Sequence, residues 1–80
     1  MTPARAAAAA RESLDPLVTS RTPRIRAAAL ADLASMDFHL GRYREARRGY
    51  LEFVRAFPSS DWAWVAALRA AEAREAIGDV

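Results

Sequence analysis

A single glycine between two apolar-striped stretches restricts this chain more than any other feature. After Gly41, the residues Tyr43, Ala46, Tyr50, Phe53 and Phe57 recur at spacings of 3, 4, 3 and 4, the repeat of one helix face and not of a strand. Before it, Ile25, Ala29, Leu33, Met36 and Leu40 form a second stripe, with Leu30, Ala34 and Phe38 beside it. An apolar arc that wide predicts packing on two sides. A connection of essentially one residue predicts that the two helices fold back as an antiparallel hairpin.

Helix breakers divide the rest. Thr2-Pro3 and Thr22-Pro23 each place a hydroxyl ahead of a proline, which is tolerated at the first helical position because the N–H it lacks has no partner there. One helix is predicted from Pro3 to about Leu14, ended by Asp15-Pro16, and a second from Pro23 to about Leu40, stopped by Gly41. A third runs from about Arg42 to Phe57 and is closed by Pro58. Ser59, Ser60 and Asp61 offer caps for a fourth, ending near Ile77 and Gly78. In that helix Trp64, Ala67, Leu68 and Ala71, flanked by Val65, Ala70 and Ile77, make a similarly wide apolar arc, which again predicts packing on two sides. β-branched residues are scarce and no alternating run or Asn-Gly turn is present, so the expected class is all-α. Gly49 lies inside the third helix at a cost of about 1 kcal/mol against alanine, which predicts a close helix contact there. On the other side of that helix, Arg48–Glu52 and Glu52–Arg55 are spaced to pair.

Eighty residues form one domain with a small core, and no cysteine is available for a disulfide or a thiolate metal site. All twelve basic residues are arginine, so the sequence pI of 9.9 accompanies a formal net charge of only +2. That is a weak field for nucleic acid. Arg42, Arg44, Arg47 and Arg48 form the densest basic group, and a helix-turn-helix over Leu30–Phe57 is the alternative reading. Glu45 and Glu52 interrupt its basic face, and an antiparallel hairpin lacks the wide crossing angle of that motif, so nucleic acid is disfavoured. No apolar run is long enough to span a bilayer. Met1–Ala10 lacks the leucine-rich stretch of a secretory signal, which favours a cytoplasmic location, with the periplasm open to a piece of a longer chain.

Catalysis has little to work with. Asp32, Ser35 and His39 share a helix face, but side chains in register on one rod supply neither a substrate cleft nor an oxyanion hole. One histidine among scattered carboxylates is no metal set, and the glycines Gly41, Gly49 and Gly78 make no phosphate loop. The expectation is a non-enzyme with no catalytic residues, metal or cofactor.

The segment Leu30, Leu33, Ala34, then Gly41-Arg42-Tyr43-Arg44-Glu45-Ala46, then Tyr50, Phe53 and Pro58, resembles a tetratricopeptide repeat. In that likeness Ala34 and Ala46 let the helices approach, Gly41 turns the chain, Tyr43 and Tyr50 fill the hairpin, and Pro58 ends the unit. Asp37 stands where the family places an aromatic. Ala70, Ala71 and Gly78 repeat Leu33, Ala34 and Gly41 after 37 residues, similar to the longer-period repeats of bacterial envelope lipoproteins and cell-division coordinators. The likeness implies one array-like domain over residues 1–80. Residues 3–20 are a degenerate N-terminal helix, 23–58 the clear repeat, and 59–80 a partial repeat or capping helix.

Such hairpins bury their apolar faces by stacking, so the expectation is either a longer array or self-association. Ala66, Ala70, Ala73 and Ala76 are the surface expected to be left bare. Trp62 and Trp64 are expected to fill the joint between repeats and cover the Pro58 turn, with an exposed partner anchor as the other reading. The resemblance further implies a concave groove for a protein or peptide partner. It would be lined by Ala28, Ala31, Ser35, Phe38 and His39, and by Val65, Leu68, Glu72 and Glu75, apolar with an acidic end. The family's clamp for a terminal carboxylate needs lysine and asparagine, and this chain has neither.

Overall fold

The computed structural model describes residues 21–78 and, ahead of them, residues 2, 3, 5, 6 and 9. Three helices follow one another: α1 (Pro23–His39), α2 (Tyr43–Ala56) and α3 (Ala63–Ile77). The described residues contain no strand. The described residues are therefore an all-α arrangement of three helices. Most of the predicted N-terminal helix lies outside the described residues. At its start, the Thr2 hydroxyl accepts the Arg5 N–H at 3.2 Å and the Thr2 carbonyl accepts the Ala6 N–H at 3.0 Å, as a capping threonine ahead of Pro3 should. Thr22 is the N-cap of α1 but makes no side-chain cap bond, so Pro23 marks that start by its backbone restriction alone.

The α1–α2 turn is a Schellman motif. Gly41 adopts φ +77°, its N–H reaches the Phe38 carbonyl at 3.1 Å, and the Arg42 N–H reaches the Asp37 carbonyl at 2.8 Å. Two residues that usually make an apolar contact across this motif are here Asp37 and Arg42. Arg42 Nε lies 3.9 Å from Asp37 Oδ1, and Asp37 is only 4% exposed. A buried carboxylate thus occupies the position where the likeness expected an aromatic.

Contacts between α1 and α2 run antiparallel. Arg26 lies over the Phe57 ring, Ser35 meets Tyr50, and Phe38 meets Tyr43. The seam closes on small residues: Ala34 and Ala46 are buried, and a Cβ built on Gly49 would stand 3.0 Å from that of Ala34. The close contact expected at Gly49 is present. Ile25 and Leu40, at the ends of the α1 stripe, stay exposed, while Leu30 and Ala34 join the central cluster with Ala46, Tyr50, Phe53, Ala66 and Ala70.

After Pro58 the chain turns through Ser60, whose carbonyl accepts the Ala63 N–H at 3.0 Å and whose hydroxyl accepts the Trp62 N–H at 3.1 Å. This delays α3 to Ala63 and seats Trp62 against Tyr50 and Phe53 at centroid distances of 6.1 and 5.1 Å. α2 packs against both neighbours and forms the middle of the layer.

α3 packs through the alanine face that was expected to be left bare. Ala63, Ala66, Ala70 and Ala73 point inward, while Trp64, Ala67, Leu68 and Ala71 lie on the exposed side. Of the alanines expected to be bare, only Ala76 is. The reason is shape. The α2 surface already carries Tyr50 and Phe53, so close approach requires methyl groups opposite the rings, and the larger side chains would hold the helices apart.

Candidate partner-binding surface

Beside the α1–α2 seam, a different set of small α1 residues shapes an open cleft. One wall is α1, through Ala27, Ala28, Ala31, Asp32 and Ser35; the other is the α2–α3 connection, through Ser60 and Trp62, with Phe53 beneath. Its volume is ≈ 370 Å³. The wall is smooth because three of its five α1 side chains end at Cβ. Ser35 is held by its hydroxyl 3.2 Å from the Tyr50 hydroxyl, whereas Asp32 is exposed at the rim.

Ser35 and the flanking Ala28 and Ala31 therefore line this shallow, open cleft. Phe38 and His39 lie further along the same face of α1. Phe38 is half-buried, edge-on to Tyr43 at 5.3 Å, so it supports the hairpin as well as facing out; His39 is exposed beside it. The α3 residues do not join them. Val65 and Glu72 are half-buried on α3, and Glu72 is paired with Arg69 at 3.3 Å. Leu68 and Glu75 belong to the outward side of that helix, and the second wall of this cleft is built by Ser60 and Trp62. Sequence reasoning missed Asp32 and Ser60 as lining residues; the Ser59-Ser60 pair ahead of a tryptophan was the available signal. Of the tryptophans, Trp62 fills the joint as expected, but Trp64 is 69% exposed. It sits one residue inside α3, on the side away from α2.

On the back of the layer, Arg44, Arg47, Arg48 and Arg55 surround Leu51 and Ile77 in a second cleft of ≈ 400 Å³. The expected Arg48–Glu52 and Glu52–Arg55 pairs do not form; among the described residues the ion pairs are Arg42–Asp37 and Arg69–Glu72. Also among the described residues, no group of three or more histidines or carboxylates could hold a metal ion, and no helix is long and apolar enough to cross a membrane.

No protein-family model matches the chain, and no curated protein or solved structure matches it.

Proposed function

We propose that this chain is a non-catalytic protein-interaction module of the tetratricopeptide type that seats a peptide or partner helix in the cleft between α1 and the α2–α3 connection. The observation that carries this reading is the cleft itself: an alanine-walled hollow with an aromatic side, Trp62, and a carboxylate, Asp32, at its rim. Small apolar walls accept compact apolar side chains at close range, and Asp32 favours a basic group on the occupant. The antiparallel hairpin and its Ala34–Gly49 seam support the family likeness from a separate direction.

The test is to select peptides from a displayed library on the full chain and measure the affinity of the best for variants. Ala28→Arg fills the cleft from an exposed helix position and is expected to weaken binding by tenfold or more, about 1.4 kcal/mol, with an unchanged circular-dichroism spectrum. Peptides that bind Ala28→Arg as tightly as the native chain refute the placement.

A further inference from the structure

Two outward faces remain after the cleft is assigned, and they match each other. On α2, Arg44, Arg48, Leu51 and Arg55 stand at i, i+4, i+7 and i+11, opposite the buried Ala46, Tyr50 and Phe53. On α3, Trp64, Leu68, Ala71 and Glu75 stand at the same spacing, opposite the buried Ala66, Ala70 and Ala73. Each stripe covers about 16 Å of helix. The first is basic around an apolar centre; the second is apolar with an acidic end. The α2 arginines have no carboxylate within 4.0 Å among the described residues. On α3, Trp64 is 69% and Leu68 50% exposed.

We propose that the outward face of α3 docks onto the arginine-lined groove of a second copy of this chain. Laid antiparallel, the stripes place Leu68 on Leu51, bring Glu75 to Arg44, and set Trp64 beside the Arg55 guanidinium. That combines apolar burial, a charge-assisted contact and a cation–π contact. The two surfaces differ, so the contact is heterologous and propagates head to tail into a ring or an open chain instead of closing as a two-fold pair. The arginines also suit a phosphate backbone. However, Glu45 and Glu52 flank them beside Arg48, and Leu51 and Ile77 occupy their centre, which fits an acidic, apolar helix better than a nucleic acid.

Sedimentation velocity on the full chain over a wide concentration range tests this. The expected result is a mass that grows past the dimer with concentration and falls at high salt. Arg44→Glu and Glu75→Arg should each associate about tenfold or more weakly alone, and should recover association when mixed, because each then meets an opposite charge. Recovery on mixing also shows that both variants are folded. A chain monomeric throughout, a mixture that does not recover, or an arginine variant that associates normally would overturn the proposal. So would a short duplex DNA that binds the groove more tightly than the chain binds itself. The peptide cleft lies on other residues, so Ala28→Arg leaves this association unchanged and the two readings fail separately.

Discussion

Gly49→Ala sets two physical effects against each other, and the structure decides which wins. Helix propensity alone favours the change by about 1 kcal/mol, since α2 is helical through Gly49 and alanine loses less backbone entropy. Packing opposes it. The new methyl would stand 3.0 Å from Ala34 Cβ, 3.5 Å from its Cα and 3.9 Å from its nitrogen. Carbon atoms rest comfortably at about 3.5–4.0 Å, so the contact is short by roughly 0.5 Å. Neither partner is the end of a flexible chain: an alanine Cβ moves only with its helix. Relief therefore requires α1 and α2 to part along the seam that buries Ala46 and Tyr50. Overpacking of this kind costs about 1–3 kcal/mol, which outweighs the propensity gain. The expected net is a loss of about 1 kcal/mol, a fall in Tm of roughly 4–8 °C for a domain this size. Thermal and urea melts followed by circular dichroism measure it. Gly49→Ala/Ala34→Gly reopens the seam from the other side, so the double-mutant cycle should show a favourable coupling of at least about 0.5 kcal/mol. A variant Gly49→Ala that melts higher than the native chain, or a cycle with no coupling, refutes the close-seam reasoning.

Other perturbations separate packing from exposure. Tyr50→Ala removes a ring that is buried against Trp62 and should cost about 3–5 kcal/mol, enough to unfold most of a small domain, whereas Tyr50→Phe loses only the Ser35 hydrogen bond and should cost about 1 kcal/mol in urea titrations. Gly41→Ala meets no neighbour but must hold φ +77°, so a loss of about 1–2 kcal/mol is expected, with Gly41→Asn milder; equal stability of all three would remove the turn from the account. Trp62→Ala should destabilise by about 2–4 kcal/mol while Trp64→Ala stays within about 0.5 kcal/mol. Acrylamide quenching of the two single-tryptophan proteins checks the same contrast, with strong quenching expected only where Trp64 remains.

What was legible from the residues alone is what depends on neighbours in the chain. Proline restricts its own φ and the residue before it, and glycine alone takes a positive φ cheaply, so the ends of α1 and α2 and the turn at Gly41 could be placed without knowing the fold. The 3–4 spacing of Tyr43, Ala46, Tyr50, Phe53 and Phe57 identified the inner face of α2, because that helix separates apolar from charged residues cleanly. Ala28, Ala31 and Ser35, named from the residues alone, share one cleft wall because they lie on one face of α1.

α3 shows where that reasoning ends. Apolar residues surround it on nearly every side, so periodicity offers no preferred face, and the alanine face expected to be bare is the one that is buried. Its orientation comes from α2, whose rings leave room for methyl groups and not for Trp64 or Leu68. The burial of Asp37 and the arginines left without carboxylates likewise depend on how the helices pack. Local backbone rules set where each helix begins and ends; the fit of one surface to another set which way α3 faces, and so which residues remain to meet a partner.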